Sequence, residues 1–142
     1  MAVKDKIFVF DLDGTLADTA PALLNAGNQV LKSIGRSPIK LEQYKGFIGG
    51  GTKKQVEKLL ISTGGIPDHG LDFHFKFFQN RYHEDPVKGC SLYKGVLELI
   101  KFLKSQGIKL TICTQKFESS AKKVLLHLNI YQYFDGFAYG DS

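Results

Sequence analysis

The segment IFVFDLDGTLA, residues 7–17, decides the fold of this chain. It opens with four apolar residues, two aromatic and two β-branched, which is typical of a buried strand in a parallel sheet. Asp11, Asp13 and Gly14 follow the strand directly. Ligands of open α/β sheets bind at the carboxyl ends of the strands, and burying an unpaired carboxylate is costly. Two acids at this point therefore indicate catalysis or metal binding.

Composition restricts the class of protein. The chain has 142 residues, of which 43% are hydrophobic and 23% are charged, and this predicts an ordered domain with room for an insertion. The net charge of +5 suits an anionic substrate, although a solvated basic surface gives the same value. No run of Lys and Arg indicates a nucleic-acid partner, and no apolar stretch indicates a signal peptide or a membrane partner.

The two cysteines bear on the cellular compartment. Cys90 and Cys113 lie far apart and in no metal-binding spacing. Two cysteines without a disulfide or metal pattern are typical of a reducing environment, so the prediction is a cytoplasmic protein. Cys113 lies in an apolar run and is predicted to be buried.

Hydrophobic periodicity predicts two regions. Residues 17–87 show helical patterns only, whereas strand patterns occur before and after them, as in the run 108–113. The predicted domains are therefore an α/β core, 1–16 and 88–142, and a helical insertion, 17–87. The β-α-β-α-β order of the core predicts a parallel sheet with right-handed crossovers.

Two motifs give the chain a family resemblance. The run DLDGTLADT, residues 11–19, resembles the D-x-D-G-T-[LV] signature of the haloacid dehalogenase (HAD) superfamily, most closely its phosphoglycolate phosphatase branch. Thr114-Gln115-Lys116 is similar to the family's second motif. Residues 91–116, which end in this motif, resemble the family segment that leads into the second motif, with Lys94 where proline is common. The resemblance implies a Rossmann-like parallel core with an inserted helical cap, and a core that is incomplete at its C-terminal side.

The resemblance also implies a reaction. Asp11 would be the nucleophile that forms an aspartyl-phosphate, and Asp13 would be the general acid and base. The Asp11 carboxylate and the Asp13 carbonyl would hold Mg²⁺. The implied activity is a Mg²⁺-dependent phosphatase acting on small phosphorylated metabolites. Asp13 favours phosphoryl transfer over dehalogenation, while a mutase remains an alternative.

Further residues are implied as ligands of the phosphoryl group. The amides around Leu12 and Asp13 would cradle its oxygens, and the Thr114 hydroxyl would donate another hydrogen bond. Gln115 belongs to the same loop. Lys116 would contact the anionic substrate, would stand in for a family lysine, or would simply be solvated.

The chain departs from the family pattern in two places. It has no counterpart of a later lysine motif or of a later G-D-x-x-x-D pair, and Gly140-Asp141-Ser142 follows Thr114 too soon to be that pair. Uncompensated like charges 4 Å apart cost ~4 kcal/mol at an effective dielectric constant of 20. The chain alone is therefore expected to be a weak or inactive catalyst.

An incomplete core also has a structural consequence. The first strand, central in the family sheet, would have a bare edge here. Three explanations are open: the chain is truncated, another chain supplies the missing half, or two copies pair through this edge as a homodimer. The alternative function is a non-catalytic fragment that binds a partner chain or a phosphorylated ligand.

Two other patterns remain open. GFIGGGTK, residues 46–53, is a near miss to a nucleotide-binding phosphate loop, and is otherwise a cap loop facing the active site or a plain turn. The four histidines lie at no ligand-like spacing and are expected to be solvated or partly packed.

Overall fold

The computed structural model describes residues 6–142 and divides the chain into two compact units. The first contains the residues up to Thr19 together with Gly89–Ser142, and the second is Ala20–Lys88. The helical unit begins three residues later than the sequence predicts, because Ala17–Asp18 pairs as a short strand with Ser91–Leu92.

The elements follow the predicted order. In chain order they are β1 (Ile7–Phe10), β2 (Ala17–Asp18), α1 (Ala20–Ser33), α2 (Leu41–Lys45), α3 (Thr52–Ser62), α4 (Leu71–Glu84), β3 (Ser91–Leu92), α5 (Val96–Ser105), β4 (Lys109–Cys113), α6 (Glu118–His127), a 3₁₀ turn (Tyr131–Tyr133) and β5 (Gly136–Ala138). No helix among residues 6–142 is long and apolar enough to cross a membrane.

The core sheet of the first unit is parallel, as predicted. Its strand order is β1-β4-β5, with Phe10 opposite Ile112 and Cys113 opposite Ala138. Since β1 and β4 run in the same direction, the residues that follow them lie at the same edge of the sheet. Asp11 and Thr114 are therefore brought to one end of the core.

The burial of β1 differs from the prediction. In β4, the central strand, Leu110 and Ile112 are fully buried, whereas Ile7 and Val9 of β1 are 61% and 63% exposed. β1 is an edge strand within the part of the chain that the structure describes, and the sheet face that carries Ile7 and Val9 is left largely uncovered there. Cys113 is likewise exposed rather than buried, because it is the last residue of β4.

The second unit is a helical cluster in which α1 packs against α2, α3 and α4. A methyl group on Gly27 would lie 2.8 Å from the ring of Tyr44, so glycine permits the close approach of α1 and α2. The buried Tyr44 hydroxyl donates to Gln55 at 3.0 Å, and burial raises the pKa of Tyr44. The glycine run 49–51 follows α2 rather than a strand, so the nucleotide-loop alternative is wrong.

One histidine of this unit, His74, is more buried than the solvated or partly packed state expected from the sequence. His74 is 2% exposed, and neither ring nitrogen has a hydrogen-bond partner among the described residues. Desolvation lowers the pKa of His74, with smaller contributions from His69 and Arg36. The ring is therefore favoured in its neutral form.

Candidate active site

The acidic loop after β1 is a closed turn. The Leu12 carbonyl accepts the N–H groups of Leu16 and Ala17 at 3.0 and 3.2 Å, and Gly14 N–H donates to Ala17 at 2.9 Å. Gly14 has φ +75°, a conformation that glycine adopts at little cost. Leu12 is fully buried and anchors the loop, while Asp11 on one side is exposed and Asp13 on the other is partly exposed.

Asp13, in the loop after β1, contacts Lys116, in the loop after β4. Lys116 Nζ lies 3.1 Å from Asp13 Oδ1, and the Lys116 side chain is only 6% exposed. The Thr19 hydroxyl donates to the same oxygen at 2.5 Å, and Thr19 is buried. A buried ammonium group requires a close counter-charge, which Asp13 supplies. The alternative of a solvated Lys116 is therefore wrong, while the contact of Lys116 with the substrate stays a prediction.

The loop after β4 is held by its own threonine. Thr114 is 6% exposed, and its hydroxyl accepts the N–H of Lys116 at 3.1 Å. Its backbone N–H donates to Ala138 of β5 at 3.0 Å. This tight turn directs the chain so that Lys116 reaches Asp13, whereas Gln115 is exposed. The roles predicted for Thr114 and Gln115 in phosphate binding stay predictions.

Asp11 is the exposed acid of the pair. Its Oδ1 accepts the N–H of Leu12 at 2.8 Å. Its second carboxylate oxygen has no partner among residues 6–142, which is the condition that a nucleophile or a metal ligand requires.

The oxygen donors at this edge suit part of a magnesium shell. Mg²⁺ prefers oxygen ligands and is usually held by one or two carboxylates, by substrate phosphate and by water. The exposed Asp11 carboxylate and the Asp13 carbonyl are donors of this kind. Among the described residues, no three or more His, Cys, Asp or Glu side chains converge on a metal position. The donor set therefore fits Mg²⁺ as a partial shell.

Two features of this edge are missed by the sequence analysis. Thr19 is the last residue of the DLDGTLADT run, and its spacing of six residues from Asp13 carries no pattern that signals a contact. Asp141, part of the G-D-S run, accepts the N–H of Glu118 at 3.0 Å and so caps α6.

Comparisons with known proteins agree with this geometry. The family described as haloacid dehalogenase-like hydrolase matches residues 8–142. The phosphoglycolate phosphatase of Rhodobacter capsulatus is 36% identical over 135 residues, with 94% of this chain and 61% of that protein covered. The phosphoglycolate phosphatase of Aquifex aeolicus is 33% identical over 137 residues, with 96% and 62% covered.

The fold is shared with solved structures. A crystal structure of a predicted phosphoglycolate phosphatase from Haemophilus somnus superposes with a TM-score of 0.83 at 24% identity, and the match covers 100% of this chain and 65% of that one. The chain spans about three fifths of the length of the curated relatives it matches. The match over residues 8–142, the parallel core and the paired acids together show that the chain belongs to the haloacid dehalogenase-like hydrolase family.

Proposed function

We propose that this chain carries the nucleophile side of a Mg²⁺-dependent phosphatase site for small phosphate monoesters, with phosphoglycolate as the substrate type. The observation that carries the proposal is the contact of Lys116 with Asp13, next to the exposed carboxylate of Asp11. This contact brings two acids and one cation together where parallel strands end. The names of the relatives that match most of the chain support the choice of substrate type.

The proposed reaction has two steps. A carboxylate oxygen of Asp11 forms a bond to phosphorus while the ester P–O bond breaks, and Asp13 gives its proton to the leaving oxygen. Asp13 then takes a proton from water, whose oxygen attacks the aspartyl-phosphate, so that inorganic phosphate leaves and Asp11 is restored. Thr19 and Lys116 both contact Oδ1 of Asp13, and Oδ2 has no partner among the described residues. Proton exchange is therefore assigned to Oδ2.

The phosphoryl group needs positive charge and donors. In the proposal the amides around Leu12 and Asp13, the Thr114 hydroxyl and the exposed Gln115 surround it, with Lys116 as the nearby cation. Mg²⁺ held by Asp11 and the Asp13 carbonyl would reduce the repulsion between carboxylate and phosphate.

We further propose that turnover by these 142 residues alone is low. The charge of Lys116 is shared between Asp13 and the phosphoryl group, so Lys116 compensates only part of the charge of Asp11 and a bound phosphate. Like charges about 4 Å apart cost ~4 kcal/mol at an effective dielectric constant of 20. No further carboxylate converges on the site within residues 6–142 to complete the metal shell.

The test is release of inorganic phosphate from 2-phosphoglycolate, measured with and without Mg²⁺. We expect slow release that requires Mg²⁺ and falls to background in Asp11→Asn, because the amide cannot act as the nucleophile. Asp68→Asn, a change at an exposed acid of the helical unit, is the control and is expected to leave the rate unchanged. A folded protein that releases no phosphate would contradict the proposal, and isomerisation of a phosphosugar without release would indicate a mutase.

The exposed strand β1 favours a second candidate, a non-catalytic fragment that binds a partner strand. Its apolar side chains project from an edge strand, and such edges readily pair with another strand. The partner proposed first is a second copy of this chain. Concentration-dependent dimerisation, together with a melting temperature raised by phosphate but no turnover, would support this candidate.

The compartment is also a proposal. Cys113 is an exposed thiol outside any disulfide among the described residues, which supports a reducing environment and hence the cytoplasm.

A further inference from the structure

Residues 138–142 lie against residues 114–118, which include the Thr114-Gln115-Lys116 loop, and three hydrogen bonds join the two stretches. Thr114 N–H donates to Ala138 at 3.0 Å, and Gly140 N–H donates to the Lys116 carbonyl at 2.9 Å. Glu118 N–H donates to Asp141 Oδ1 at 3.0 Å. The donor of these bonds alternates between the two stretches, so the segment runs alongside the loop from the end of β4 to the start of α6.

Gly140 lies directly against the backbone of the loop after β4. A Cβ built on Gly140 would lie 1.9 Å from the carbonyl oxygen of Gln115 and 2.7 Å from its carbonyl carbon. Those atoms are backbone, so no side-chain rotation can relieve the overlap. Any residue other than glycine at position 140 requires the loop to move.

The segment has its own anchors. The ring of Tyr139 stacks on Phe137 at 5.6 Å, and Phe137 stacks on Tyr131 at 5.0 Å. Tyr139 N–H donates to the Ser142 hydroxyl at 2.8 Å, and Ser142 N–H donates back to the Tyr139 carbonyl at 3.1 Å. These contacts hold the segment in place, so the loop after β4 packs against a segment that has its own fixed position.

We propose that Gly140 and Asp141 are positioning residues, which hold the loop so that Lys116 reaches Asp13 and the Thr114–Lys116 stretch can receive a phosphoryl group. This inference rests on the proposed function for its consequence, but the positioning itself concerns only contacts within the first unit. It assigns a role to the G-D-S run, which the proposed reaction does not use.

The first test is Gly140→Ala, with Gly46→Ala as the matched control. Gly46 has φ −67° and its nearest neighbour would be 3.4 Å from an added Cβ, so alanine fits there. In amide NMR spectra we expect Gly140→Ala to shift the signals of Lys116 and Asp13, and to weaken binding of inorganic phosphate with Mg²⁺ by about tenfold or more. Gly46→Ala should do neither. Unchanged spectra and affinity in Gly140→Ala would overturn the inference.

The second test uses Asp141, in case Gly140→Ala does not fold. Asp141→Ala removes the acceptor of the Glu118 N–H, whereas Asp141→Asn retains a side-chain oxygen and caps helices about as well. We expect Asp141→Ala to weaken phosphate binding and Asp141→Asn to restore it, both measured at a temperature at which the two variants are fully folded. Equal affinities in the two variants would overturn the inference.

The two proposals fail in different ways. If the wild type binds no phosphate and releases none, the proposed function fails. The positioning role is then decided by the Asp13 signal alone, which must shift in Gly140→Ala and Asp141→Ala and stay in place in Gly46→Ala and Asp141→Asn.

Discussion

β1 and β4 are neighbouring parallel strands with opposite environments. Leu110 and Ile112 of β4 are fully buried, while Ile7 and Val9 of β1 are more than half exposed. β1 is nevertheless the more apolar strand, since β4 contains Lys109 and Thr111. Apolar composition therefore does not by itself determine burial, because a strand is covered only when it has neighbours on both edges and packing on both faces. The same two strands meet at their carboxyl ends through Lys116 and Asp13.

The largest expected difference between the strands is in stability. Ile112→Ala should lower the free energy of unfolding by about 2–5 kcal/mol, because it leaves a cavity in the core. Val9→Ala, the matched change on β1, should alter it by less than about 0.5 kcal/mol. Urea denaturation of both variants measures the difference. A similar cost for the two would mean that β1 is covered in solution.

The second prediction concerns the other edge of β4. Asp135 Oδ2 accepts the Leu110 N–H at 2.9 Å and the Lys104 ammonium at 2.7 Å, where β5 begins. Asp135→Ala should cost about 1 kcal/mol, because one backbone hydrogen bond and a screened surface ion pair are lost. Thermal denaturation measures the cost, and Asp68→Ala, at an exposed acid, should be neutral.

The same contact predicts a pH dependence. Hydrogen bonds from Lys104 and then from the Leu110 amide lower the pKa of Asp135 below its ordinary value of 3.8. As the pH falls below about 4, the unfolded chain binds this proton first, so the stabilisation present above that pH is lost as the pH passes through the lowered pKa. The decline in melting temperature should be shallower in Asp135→Ala than in the wild type. Equal slopes would contradict the assignment.

The smallest expected change in stability is at the edge of β1. Val9→Lys should leave the free energy of unfolding within about 0.5 kcal/mol of the wild type, because the side chain is exposed. It should, however, suppress self-association measured by sedimentation velocity, since charge on an edge strand opposes pairing. Leu126→Lys changes an equally exposed apolar residue on α6 and should leave association unchanged. Dimers that persist in Val9→Lys would exclude pairing through β1.

Much of the local structure could be predicted from the sequence. Helical periodicity within residues 17–87 and strand patterns outside them agree with the type and order of most elements, because those signals depend on near neighbours in the chain. The parallel direction of the core strands also follows from the element order. The helical unit begins later than predicted, because the pairing of Ala17–Asp18 with Ser91–Leu92 joins residues distant in sequence.

The candidate site divides in the same way. The residues of the DLDGT run and the Thr114–Lys116 loop are identifiable from their motifs and from the rule that parallel strands end at one edge. The residues that hold these two loops in place cannot be identified from the sequence. Thr19 contacts Asp13, and Gly140 abuts Gln115, only because the chain closes around these positions.

The sequence by itself determined the α/β class, the two-part organisation and the acids that follow the first strand, because periodicity and turn chemistry are local properties. Only the tertiary structure decided that β1 is exposed, that Lys116 is buried against Asp13, and that Gly140 lies against the loop after β4. Burial and ion pairing depend on which elements become neighbours. That choice is made by the folded chain as a whole.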